Sequence, residues 1–166
     1  SCTRTRETAA ASPTTLPASR LRALDASETD LPAVLQGRPA LLNLWATWCD
    51  ACRNELATLN RIDAWARGRG ALVVGVAVGE PLPRVAAFTA ESRLSYLVLV
   101  DEDFRLADAL GSKRVPATLV IDRSGRIVHV GGAVDDRSLA ALQELLGEDA
   151  RQEDRAAAGA RATLAP

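Results

Sequence analysis

The sequence contains no methionine, a single histidine and no excess of basic residues. Each shortage excludes something. Without methionine the initiator is missing, as expected of a chain processed from, or cut out of, a longer precursor. One histidine, His129, rules out a multi-histidine metal site. Lys and Arg number 20 against 21 Asp and Glu, so the net charge is −1 and the pI near 5.9. Such a balance offers a polyanion no overall attraction, and no basic stripe appears, so a nucleic-acid partner is not expected. No stretch approaches the ~18 consecutive apolar residues of a membrane-spanning helix. The longest apolar runs, such as Ala71–Val78, have the length of buried strands. What is there, 166 residues of which 48% are hydrophobic, suits one globular domain with a sizeable core.

The ends differ from the middle. Residues 1–19 are rich in Ser, Thr, Ala and Pro with almost no large apolar side chains, the composition of a flexible tether. Residues 148–166 form a mixed-charge, alanine-rich tail expected to be poorly ordered, although its composition would allow a helix to run on. The domain is expected over 20–147. Within it, Ala40–Trp45, Ala71–Val78 and Leu97–Val100 read as buried strands. In 50–67, Cys52, Leu56, Leu59, Ile62 and Ala66 recur at helical spacing on one face. Further helices are expected over Pro83–Ser92, over Phe104–Leu110 with Gly111 as stop, and over Asp135–Leu146. Asp122-Arg123-Ser124-Gly125 is a turn signal between Ala117–Asp122 and Arg126–Gly131, which predicts an antiparallel hairpin. Apolar strands separated by helices imply an α/β class: a mixed sheet with helices on both faces, parallel in its first part.

The chemistry concentrates in the cysteines. Of 3, Cys2 stands apart and Cys49 and Cys52 form a C-x-x-C where the first clear strand gives way to a helix. Cys49 is expected at the exposed helix N-terminus, where unpaired N–H groups and the helix dipole favour a thiolate. Cys52, one turn in and facing the core, is close enough to resolve a disulfide with it. Other uses of the pair fit less well. A zinc site would need Cys2 and His129 as further ligands, a c-type haem site would need histidine where Arg53 stands, and a structural disulfide here would close a very small loop.

The stretch W-A-T-W-C-D-A-C-R-N-E-L (residues 45–56), taken with Val115-Pro116 and the closing hairpin, resembles the thioredoxin superfamily. Within it the stretch is most similar to the extracytoplasmic TlpA/ResA-type thiol–disulfide oxidoreductases, over about 40–146. The helix and strand expected around 81–100 match an insertion of that branch. The resemblance implies a thioredoxin-like fold and thiol–disulfide exchange without a cofactor. It implies that Pro116 is a cis-proline opposite the cysteines, that the Val115 backbone pairs with an extended substrate, and that Trp48 shields the site and touches substrates. The alternative for Pro116 is the start of an edge strand. Four positions depart from the family pattern: Ala51 and Ala57 replace prolines, Asn43 replaces a buried aspartate as is common in this branch, and Ala117 replaces a glutamate frequent in cytochrome c maturation reductants. None removes a reacting group. Ala51 bears on the potential.

Glu55 and Asp50 are the candidate tuning groups. Glu55 follows Cys52 by three residues at a position where the branch often has glutamate; a partly buried carboxyl there could accept the Cys52 proton. The alternative is an exposed glutamate supporting the helix start. Asp50 sets a negative charge beside Cys49, which works against the thiolate and favours a reducing potential. Ser1-Cys2 resembles the end of a bacterial lipobox, which would make Cys2 a lipidation site and the tether a spacer from a membrane; the alternative is a cysteine that happens to lie near a cut end. The expected setting is the bacterial periplasm. The expected partners are cysteine-containing exported proteins and a membrane electron donor or thiol partner, met as a monomer. The expected direction is reduction; oxidase or isomerase chemistry at the same cysteines, or a non-catalytic binding module, are the alternatives.

Overall fold

A computed structural model describes residues 14–163, and the side chains of all of these except 149 and 153–163. Cys2 and the other residues of 1–13 lie outside the described residues. The central strand is β3 (Ala40–Trp45), and every residue in it is buried. Its alternation sends Leu41 and Trp45 to one face and Leu42 and Leu44 to the other, so it needs a cover on both sides. One cover is α2 (Asp50–Arg67), which buries Cys52, Leu56, Leu59, Ile62 and Ala66, the face expected from their spacing. Joined to it in the same apolar layer are α3 (Leu82–Glu91) and α5 (Asp136–Thr163). The opposite layer holds α1 (Leu31–Leu35) and α4 (Arg105–Ala109).

β3 pairs in parallel with β4 (Leu72–Val78), which pairs in parallel with β5 (Leu97–Asp101). On its other side β3 pairs antiparallel with β6 (Ala117–Ile121), and β6 with β7 (Ile127–Gly131), the expected hairpin. Two short strands, β1 (Leu21–Ala23) and β2 (Glu28–Thr29), extend the β5 edge, giving the order β2-β1-β5-β4-β3-β6-β7. The parallel strands β3 and β4 with α2 between them leave the α2 N-terminus at the carboxyl edge of the sheet, where α/β folds place their sites.

Capping explains the helix starts. Asp30 accepts the Ala33 N–H at 2.8 Å ahead of α1. Asp135 and Ser138 cap α5 reciprocally: each side chain accepts the other's backbone N–H, at 2.9 and 3.0 Å.

Three features differ from expectation. β1, β2 and α1 had not been foreseen. The expected tether is pinned in its last part, because Thr14 O accepts the Ile127 N–H and Leu16 N–H donates to Gly125 O, beside the start of β7. The expected helix stop at Gly147 does not occur: α5 passes it and runs for 28 residues to Thr163, the extension that the composition of the tail allowed. One glycine costs a helix interior only ~1 kcal/mol, and the Ala, Arg, Glu and Gln that follow are strong helix formers.

Gly75, in the middle of β4, lies where Trp45 and Tyr96 close over the strand. A Cβ there would stand 2.7 Å from the Tyr96 ring and 2.9 Å from Trp45 Nε1. Gly75→Ala should therefore lower folding stability by about 1–3 kcal/mol through overpacking. A lowered urea midpoint at unchanged slope is the expected result; an unchanged midpoint would mean that the two rings yield freely.

Candidate active site

The turn from β3 into α2 carries the cysteines. Cys49 is the N-cap of α2: its backbone is extended (φ −86°, ψ 108°), its N–H donates to Ala46 O, and its sulfur accepts the Cys52 N–H at 3.2 Å. A sulfur thus occupies the place usually taken by a Ser or Asp oxygen. Cys49 and Cys52 are joined as a disulfide with Cα atoms 5.2 Å apart. Cys52 is fully buried, as its place on the inner face of α2 predicts, whereas Cys49 is only 6% exposed rather than freely open. Trp48 immediately before it is 63% exposed.

The side facing this turn is set by β6. Ala117 pairs with Leu44, so the two residues before β6 lie alongside the exit of β3. The Val115–Pro116 peptide bond is cis, and both residues are half-buried.

Beneath the turn lies a buried polar cluster. Glu55 is 6% exposed; Oε1 accepts from Asn43 Nδ2 and Oε2 from the Val134 N–H, each at 2.8 Å. Asn43 Nδ2 also donates to Thr118 Oγ1 at 3.3 Å. Burial pushes the Glu55 carboxyl above its ordinary value, with the hydrogen bonds from Val134 and Asn43 opposing it. Glu55 is therefore an inward-facing group, not the exposed helix-surface residue of the alternative. Asp50 is the reverse: its side chain is 94% exposed, with Arg53 Nη1 at 4.0 Å. Solvent and that cation screen its charge, so its grip on the Cys49 sulfur is weaker than its position in the motif implies. Ala51 is exposed on the first turn of α2. His129 lies in β7, apart from the cysteines, and Trp45 is core.

One contributor was missed. Glu80, just past β4, is buried and accepts both the N–H and the hydroxyl of Thr47, at 2.7 and 2.5 Å. Arg84 Nε donates to Thr47 Oγ1 at 3.1 Å and lies 3.3 Å from Glu80 Oε1. This clamp fixes the approach to Cys49 from two residues upstream. The only sequence signal was an acidic residue directly after a buried strand, with its partner 33 residues away.

The chain as a whole has counterparts among known proteins. The Redoxin family model matches residues 11–146. The chain belongs to the Redoxin family. It is similar to the thiol-disulfide oxidoreductase ResA of Halalkalibacterium halodurans, at 29% identity over 103 residues, covering 61% of this chain and 58% of that protein. It is similar to the thiol:disulfide interchange protein DsbE of Pseudomonas fluorescens biotype C, at 31% over 134 residues, covering 80% and 69%. Among solved structures, a DsbE-like protein from Chlorobium tepidum superposes with a TM-score of 0.70 at 22% identity, covering 81% of this chain and 94% of that one. The fold is thus thioredoxin-like, and the kinship with ResA and DsbE agrees with the TlpA/ResA-type resemblance. The chain spans 58% of the ResA relative's length.

The raised pKa of Glu55 has a stability consequence with a definite sign. A carboxyl held above its unfolded value favours the folded state fully below that value, and this contribution is lost as pH rises through the folded one. Glu55→Gln keeps the shape, and its amide can still pair with Asn43 once that side chain turns its oxygen inward. Relative to the wild type, Glu55→Gln should gain stability as pH rises from below 4.5 toward neutrality. Urea unfolding of both proteins across that range measures it; a difference independent of pH would mean that Glu55 is not held above its ordinary value.

Proposed function

We propose that this domain is a thiol–disulfide oxidoreductase that reduces disulfides in exported bacterial proteins through Cys49 and Cys52. The observation that carries the reading is a C-x-x-C whose first sulfur caps a helix and whose second is buried on that helix, three residues before a buried carboxyl of raised pKa. In the reduced protein the Cys49 thiolate would attack one sulfur of a substrate disulfide, breaking that bond and releasing one substrate thiol. Cys52 would then pass its proton to the Glu55 carboxylate and attack Cys49, releasing the second thiol and closing the Cys49–Cys52 disulfide. Two electrons move from the dithiol to the substrate, and a membrane electron donor or thiol partner must restore them. Val115 and Pro116 would seat the substrate chain in extended form, with Trp48 at its flank.

Kinship with ResA and DsbE supports a periplasmic setting, and a lipid on Cys2 would hold the domain at a membrane. The direction rests on charge: Asp50 opposes a strongly stabilised thiolate, although its exposure makes the effect modest. Equilibration with thiol–disulfide buffers should give a potential nearer ~−270 mV than ~−120 mV. Asp50→Asn should shift it slightly toward the oxidising side, and Cys49→Ser should abolish exchange. A wild-type value near −120 mV would overturn the direction. Full function in Cys49→Ser would leave only a binding module.

A further inference from the structure

The chain is poor in aromatic residues, with 3 Trp, 1 Tyr and 2 Phe. Even so, two of these rings stand in solvent on the walls of one cleft: Trp48 at 63% and Phe104 at 48% exposure. The cleft has a volume of about 520 Å³, and its other walls include Val78 and Val115. Trp48 precedes Cys49 and Val115 precedes the cis-proline, so the cleft lies beside the turn that carries the disulfide.

Phe104 is held there against its own preference. Its φ is +58°, a left-handed conformation that a bulky side chain rarely adopts. Two neighbours impose it. Asp101, buried at the end of β5, accepts the Leu106 and Ala107 N–H groups at 3.0 Å and so caps α4 in place of Phe104. Gly79 supplies the space: a Cβ built on it would fall 1.9 Å from the Phe104 ring. Backbone strain persists where the surroundings over-determine it, and it gathers at binding sites. Here the strain presents an aromatic ring to a cleft instead of burying it.

The rim is charged. Lys113 and Arg114 are exposed and form no ion pair among the described residues. One acid, Asp108, also lines the cleft, leaving it one positive charge in excess.

We propose that this cleft selects substrates: it takes a large apolar side chain near the target cysteine of an extended polypeptide, and Lys113 and Arg114 favour an acidic residue beside it. The proposal rests on the exchange reading above and names the substrate class of that site. A volume of this size suits one bulky side chain and the backbone around it, and burying such a side chain against Trp48 and Phe104 favours binding well beyond an alanine. Opposite charge at the rim adds attraction and speeds encounter.

The test uses the reduced protein and synthetic cysteine peptides carried as mixed disulfides with thionitrobenzoate. The good leaving group directs Cys49 to the peptide sulfur; the protein dithiol becomes its disulfide, and the peptide thiol and the coloured aryl thiolate are released. An apolar residue, Leu or Phe, is walked through the positions flanking the cysteine, with Ala as reference and with Glu or Lys as neighbour. The readout is the ratio of kcat/KM values within each protein, which cancels general effects of a substitution. The wild type should prefer the best apolar, acidic peptide over its Ala, Lys counterpart by about tenfold, equal to about 1.4 kcal/mol. In Phe104→Gly, whose glycine accepts φ +58° without strain, the apolar preference should fall toward unity. In the double variant Lys113→Glu, Arg114→Glu the charge preference should reverse. Flat ratios in the wild type, or ratios unmoved by both variants, would overturn the cleft assignment while exchange itself persists. Failure to react with a small aryl disulfide would sink the exchange reading, and the cleft proposal with it.

Discussion

The rest of this structure depends on one contact, the Cys49 sulfur closing the N-terminus of α2. Helix starts carry unpaired N–H groups and a partial positive charge, usually answered by an oxygen. Here the answer is sulfur, with the Cys52 N–H donating to it. A neutral thiol or a disulfide is a weak acceptor, whereas a thiolate is a charged one, so the helix start is best capped when Cys49 is ionised. Helix geometry and thiol acidity are thereby linked in a single interaction, and the sheet keeps that helix start at its carboxyl edge.

Two buried carboxyl residues serve the same turn from different sides. Glu80 holds Thr47 upstream of Cys49, and Glu55 lies below with Asn43 and Val134. Burying a carboxylate is costly unless its oxygens are matched, and in both residues each oxygen has a partner. They differ in neighbours. Glu80 is faced by the Arg84 guanidinium. Glu55 has only neutral donors, which is why burial prevails over them and raises its pKa. The first arrangement suits a fixed clamp, the second a group that exchanges a proton.

Much of this was legible in the residues. β3 and α2 fall where their patterns put them, because a six-residue run buried on both faces and an 18-residue amphipathic helix give strong periodic signals. The Asp122–Gly125 turn was legible because turn residues act locally, whereas the cis bond at Val115-Pro116 was expected only through the family resemblance. β1, β2 and α1, of 3, 2 and 5 residues, are too short for any period to show. Gly147 looked like a stop, yet the strong helix formers beyond it outweigh one glycine. Glu80 and the Phe104–Gly79 contact escaped notice because each joins residues distant in sequence. Exposure misled at Cys49, expected in the open and nearly covered in the structure.

The central claim is that the α2 N-terminus makes Cys49 the acidic, attacking thiol. The most direct measurement is the pH dependence of alkylation in the reduced protein, with the labelled residue identified by peptide mapping. The account predicts that Cys49 is labelled first, with a pKa well below the ~8.5 of a free thiol. First labelling at Cys52, or a Cys49 pKa at or above ~8.5, would contradict it.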